Sequence, residues 1–149
     1  MKEYRITKYN PASRNSEGHY LDQNEWTCFS EVGDKLTLKE YEFIEEKYIQ
    51  AAVDFIGNDI ENIIACDIEN HDNENITEIS EPMTVSSFQN ILRGILRNKY
   101  WCRLKSNNSF VHIGWDYYMY VGCNKEVVSI INKTEKNGLY VEEMESPHK

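Results

Sequence analysis

The chain has 149 residues, of which 40% are hydrophobic and 12% aromatic, and a formal net charge of −9. That is enough apolar material for one domain with a proper core, and too much for a disordered chain. No apolar run approaches the roughly 20 residues of a membrane helix, Met1-Lys2-Glu3-Tyr4-Arg5 contains no apolar signal core, and the acidic balance disfavours nucleic acid as a ligand, so a cytoplasmic protein is expected.

Tyr4 to Tyr9 alternates like a strand and stops at Asn10-Pro11. A polar loop from Ala12 to Asn24 leads to Glu25–Ser30, a short strand or extended arm, and Gly33-Asp34 turns the chain. Thr37 has the look of an N-cap, with Glu40 completing a capping box. Leu38, Tyr41, Ile44, Tyr48, Ala52 and Phe55 then recur at three- and four-residue steps, which predicts a helix to about Ile56, with Glu42, Glu45, Glu46 and Lys47 on its polar side. Gly57-Asn58 ends it.

Ile60 to Glu69 reads as a strand with Ile60, Ile64, Cys66 and Ile68 on one side. Glu61, Ile63, Ala65, Asp67 and Glu69 fall on the other. His71 to Ser80 is a polar loop, and Glu81-Pro82 leads into a second helix from about Thr84 to Asn98. Its stripe is Val85, Phe88, Ile91, Leu92 and Ile95, with Arg93, Arg97 and Lys99 toward the end that the helix dipole makes favourable for cations. Strands are expected at Tyr100–Lys105, Phe110–Cys123 and Leu139–Met144, with a hairpin turn at Ser106-Asn107-Asn108-Ser109 and another turn at Asn137-Gly138. Glu126 to Ile131 fits a strand better than a helix. The sum is one α+β domain over residues 1–149, mainly antiparallel sheet with two principal helices.

The charge is unevenly placed. Between Tyr48 and Leu92 stand nine acids (Asp54, Asp59, Glu61, Asp67, Glu69, Asp72, Glu74, Glu78 and Glu81) and no lysine or arginine. The whole chain has 25 acids against 16 basic residues, so the remainder balances at 16 to 16 and this stretch carries the net charge. A field of one sign speeds encounter with an oppositely charged partner. A basic protein suits it better than a metal ion, and a solvated acidic face is the plain alternative. Acids on one strand face stand about 6–7 Å apart per two-residue step, a spacing that engages several Lys or Arg side chains.

Other chemistry finds less support. The cysteines Cys28, Cys66, Cys102 and Cys123 form no C-x-x-C pair and read as free thiols, buried in the case of the last three. An EF-hand count from Asp67 puts Asp72 where glycine is required, so no metal site is expected, and no cofactor motif is present. On one continuous strand, Val111, Ile113, Trp115, Tyr117, Met119 and Val121 would be core, with His112, Asp116, Tyr118 and Tyr120 opposite. His112 and Asp116 would then lie roughly 13 Å apart, beyond any acid–base contact unless the strand folds at Gly114.

Three motifs stand out together: Tyr4-Arg5-Ile6-Thr7-Lys8-Tyr9-Asn10-Pro11, Asp22-x-x-Glu25-Trp26-Thr27, and His112-x-Gly114-Trp115-Asp116-Tyr117-Tyr118-Met119-Tyr120. In combination they resemble a family of small bacterial immunity proteins of polymorphic-toxin and contact-dependent growth inhibition systems. The resemblance spans most of the chain, the acidic middle being its least distinctive part. It implies a cytoplasmic protein without enzymatic activity that blocks a cognate toxin by tight binding. Many such toxins are nucleases with basic clefts, which agrees with the charge. The expected contacts are Glu61, Asp67, Glu69, Asp72 and Glu74, with Tyr118 and Tyr120 as aromatic anchors. A small enzyme or ligand-binding domain built on the His112/Asp116 strand, and an adaptor without inhibitory activity, are the rival readings.

Overall fold

The computed structural model describes residues 1–17, 25–71, 76, 79 and 82–148. Six strands form one antiparallel sheet in the order β2-β3-β4-β5-β1-β6: β1 Lys2–Thr7, β2 Ile64–Asn70, β3 Tyr100–Lys105, β4 Ser109–Ile113, β5 Met119–Cys123 and β6 Tyr140–Glu143. Helices α1 (Leu38–Ile56), α2 (Val85–Leu96) and the shorter α3 (Val128–Lys136) complete the α+β domain. No helix among the described residues is long and apolar enough to cross a membrane.

Helix α1 starts where the capping box requires. The Glu40 amide donates to Thr37 Oγ1 at 3.2 Å, and the Thr37 amide donates to the Glu40 carboxylate at 2.7 Å. Gly57, at φ 59°, ends the helix. Tyr41, Tyr48, Ile49, Ala52 and Phe55 are buried against Ile6, Val111, Met119 and Val121 of the sheet and against Phe88, Leu92 and Leu96 of α2. Leu38 stays outside, at 48% exposure. Glu45, expected on the polar side, is only 2% exposed. It is held by Arg97, whose Nε and an Nη lie 2.8 and 2.9 Å from the two carboxylate oxygens, and by Arg93 at 3.3 Å. A buried carboxylate requires such partners, so this cluster locks α1 to α2.

Four other expectations are corrected. Phe110–Cys123 is not one strand but a hairpin, β4 and β5, with Ile113 opposite Met119 and residues 114–118 as the loop. Glu126–Ile131 is not a strand: Val127, Ile130, Ile131 and Thr134 recur at helical steps and turn inward along α3. Residues Gly57–Asn62 form 3₁₀ turns, so Glu61 precedes β2 and is not part of it. Ile63, just before β2, and Ala65 within it face the core while Ile64 is exposed, the reverse of the expected parity. Asp67, at φ 54°, then shifts the register against β3, and Ile68 comes to pack on the core. Glu61, Asp67 and Glu69 therefore do not share one strand face. The Glu25–Ser30 segment is the extended arm, ending in a 3₁₀ turn at Phe29–Glu31.

The outer sheet face is covered differently. After β6 the chain turns across it, with the Met144 amide on the Glu3 carbonyl (3.0 Å) and the Ser146 amide on the Glu3 carboxylate (2.8 Å). Phe110 lies across Gly122, where an added Cβ would come within 2.2 Å of its ring.

Candidate functional site

The most unusual backbone among the described residues lies at residues 114–118. Asp116 and Tyr117 are consecutive left-handed residues at φ 62° and 64°. Conformations of this kind cost roughly 1–3 kcal/mol each for residues other than glycine, and persist only where their surroundings hold them. Here four tyrosines do so. Tyr9 Oη donates to the Asp116 carbonyl at 2.8 Å. Tyr48 Oη accepts the Lys8 amide at 2.7 Å and donates to the Tyr117 carbonyl at 2.9 Å. Tyr117 Oη donates to the Leu96 carbonyl at 2.7 Å and lies 2.8 Å from Tyr41 Oη, from which it accepts. The Gly114 amide closes the loop on the Tyr118 carbonyl at 2.7 Å.

Aromatic rings fill the space beneath. Trp26 meets Tyr117 edge-on at 4.9 Å and Tyr41 at 5.5 Å. The Lys8 ammonium sits over both Tyr9 (4.2 Å) and Trp26 (4.1 Å) and pairs with Glu25. The three separated motifs of the sequence thus meet in one place. Burial and the neighbouring phenol push the Tyr41 hydroxyl well above its ordinary pKa, and burial does the same to Tyr117, so both remain neutral donors.

What this support holds out is Trp115. It was expected in the core and is instead 72% exposed, more than any other large apolar side chain among the described residues. A cavity of about 360 Å³ lies on one side of it, bounded by Cys28, Phe29, Arg97 and Asp116. One of about 190 Å³ lies on the other, bounded by Glu69, His71, Trp101 and His148.

No family model, curated protein or solved structure matches this chain.

The expected contact residues are scattered in role. Glu61 and Glu69 are exposed. Asp67 is exposed too, but it faces Arg103 at 3.6 Å. Asp72 and Glu74 lie outside the described residues. Tyr118 is half-buried, edge-on to Tyr9 at 5.8 Å and beneath the Arg5 guanidinium. Tyr120 is 6% exposed and lies under the His148 ring at 5.8 Å, so it offers no surface as an anchor. The most exposed aromatics among the described residues are Trp115 and Phe43, at 72% and 65%, and Glu69 lines the smaller cavity beside Trp115. The signal for Trp115 was in the sequence: Gly114 and Asp116 flank it, and both are turn-forming residues inside an otherwise alternating run.

The fold does not pair His112 with Asp116. His112 is buried on the outer face, bonded through Nδ1 to Ser146 Oγ at 2.9 Å, while the Asp116 side chain is exposed. Burial, then the neighbouring His148 and Arg103, lower the His112 pKa to about 4. Among the described residues, no three His, Cys, Asp or Glu side chains are grouped to hold a metal ion. All four cysteines are free, Cys28 exposed and Cys66 half-buried, and burial pushes the Cys102 thiol up to about 12.

Proposed function

We propose that this chain is an immunity-type inhibitor that binds and neutralises a cognate basic toxin, with nucleases the first class to test. One observation carries the reading. An exposed tryptophan is held out on a strained loop by the three motifs that resemble immunity proteins, and it borders the acidic end of β2. Trp is enriched among residues that dominate interfaces, and a rigid loop lowers the ordering cost of binding. The acids at Glu61 and Glu69 add long-range attraction for a basic partner, which raises the association rate. Neutralisation then follows from occlusion: a toxin cleft that binds phosphates is basic, and an acidic protein seated at it excludes the substrate.

The test is capture followed by inhibition. Tagged protein is expected to retain one basic protein from the lysate of its own bacterium at low and at moderate salt. Purified, that protein is expected to kill or arrest cells unless this chain is co-expressed. A captured partner that harms no cell, or harms them equally with this chain present, removes the inhibitor reading and leaves the adaptor one.

A further inference from the structure

We infer that the smaller cavity beside Trp115 receives an arginine side chain of the basic partner, a proposal that deepens the inhibitor reading and rests on it for the arginine's source. The cavity measures about 190 Å³, below the roughly 300–1,000 Å³ of small-molecule sites, and suits a single side chain. Its walls are flat and aromatic. Trp101 is fixed by its indole N–H, which donates to the Ile113 carbonyl at 2.7 Å, so the ring face remains for contact. The His148 ring stands 6.3 Å from Trp101, centroid to centroid. Trp115 also lines it, and Glu69 adds a carboxylate with 68% of its side chain exposed.

The position of His148 depends on a neighbour without a side chain. A Cβ at Gly114 would lie 2.8 Å from His148 Nε2 and would displace the imidazole from this wall. The His148 amide on Ser146 Oγ (3.2 Å) ties it down from the other side.

The electrostatics select a cation. Among the described residues, no lysine or arginine lines the cavity. Arg103, whose charge acts on His148, faces Asp67 at 3.6 Å, and Arg97 is held by Glu45 at 2.8 Å. His71 Nε2 is 3.9 Å from the Glu69 carboxylate, beyond a hydrogen bond, so the carboxylate keeps acceptor capacity for a ligand. Burial and the Arg103 charge lower the His148 pKa, which leaves that wall neutral at pH 7. A carboxylate beside aromatic faces favours guanidinium over ammonium, because guanidinium is planar, stacks, and gives up its hydration more readily.

The probe is N-acetyl-arginine amide, titrated into the isotopically labelled protein at millimolar concentration. The indole N–H resonances of Trp101 and Trp115 are followed by NMR, with the lysine and citrulline amides as controls. The expected result is a saturable shift at both indoles with arginine, a weaker one with lysine and none with uncharged citrulline. Glu69→Gln and Trp115→Ala, both at exposed positions, are expected to weaken the response by about two- to fivefold each. Citrulline binding as well as arginine, lysine binding equally, no saturation, or a response unchanged in both variants overturns the assignment. A chain that neutralises its toxin yet ignores the arginine probe loses this pocket and keeps the inhibitor function.

Discussion

The phenol of Tyr9 donates a 2.8 Å hydrogen bond to the carbonyl oxygen of Asp116, tying the chain just beyond β1 to the left-handed loop that carries Trp115. Tyr48 makes the parallel tie one residue on, between the Lys8 amide and the Tyr117 carbonyl. Two adjacent residues near the N-terminus thereby fix two adjacent carbonyls more than a hundred positions away. The loop's shape is imposed by tertiary contacts, and the exposed indole inherits its rigidity.

Removing one tie should therefore cost stability. Tyr48→Phe leaves a half-buried N–H and a buried carbonyl without their phenol, a loss of about 1–3 kcal/mol. Urea unfolding measures it, and a cost below about 0.5 kcal/mol would mean that the loop holds itself.

The backbone at Asp116 gives a second prediction. Asp116→Gly and Asp116→Asn suit φ 62° and should change stability by less than about 1 kcal/mol. Asp116→Val puts a β-branched residue in the left-handed region and should cost at least about 1–2 kcal/mol. Equal stability of the three variants would show that the loop relaxes freely.

The Glu45 cluster predicts a larger effect. Arg97→Met strips the bidentate partner from a carboxylate 2% exposed and leaves Arg93 as its remaining cation. A loss of about 2–4 kcal/mol is expected, and Glu45→Leu in the same chain should recover much of it, since a buried pair replaced by apolar groups is often near neutral.

Stability should also depend on acid through His112. Its folded pKa of about 4 lies below the ordinary 6.5. Between those values the unfolded chain binds a proton that the native chain does not, so this contribution is full above pH 6.5 and declines as pH falls toward 4. The loss amounts to at most about 3 kcal/mol across the window. His148 is shifted in the same direction. The depressed carboxyl of Glu142, hydrogen-bonded by Arg14 and Arg5, adds its own loss at lower pH. In His112→Gln the slope between pH 6.5 and 4.5 should flatten, and a slope equal to that of the unmodified chain would contradict the assignment.

The helices α1 and α2 were legible because periodicity and capping act locally: Thr37 and Glu40 state the start of α1, and Phe88, Ile91, Leu92 and Ile95 of the expected stripe face inward along α2, while Val85 at its start is exposed. Strand β3 was legible for the same reason. Errors came where long-range contacts decide. Alternation from Phe110 to Cys123 continues through a hairpin loop because Tyr117 returns to the core by a left-handed turn that only its distant partners support. The parity of β2 depends on the register shift after Cys66, set by pairing with β3. The branched residues of 126–131 favour strands locally, yet Ile130 and Ile131 pack inward along α3 while Val128 is exposed. The acidic end of β2 was visible in composition. Its proximity to Trp115 was not, because the two are far apart in sequence and meet only in the folded chain, where both line one cavity.

The most direct test of the inhibitor reading is titration of the purified toxin's activity with this chain and with a variant carrying Glu61→Lys, Glu69→Lys and Trp115→Ala. All three positions are exposed, so the variant should fold. The reading predicts complete inhibition at one equivalent by the unmodified chain, and at least about a hundredfold weaker binding by the variant. Full inhibition by both would place the contact elsewhere on the molecule, and no inhibition by the unmodified chain would contradict the function itself.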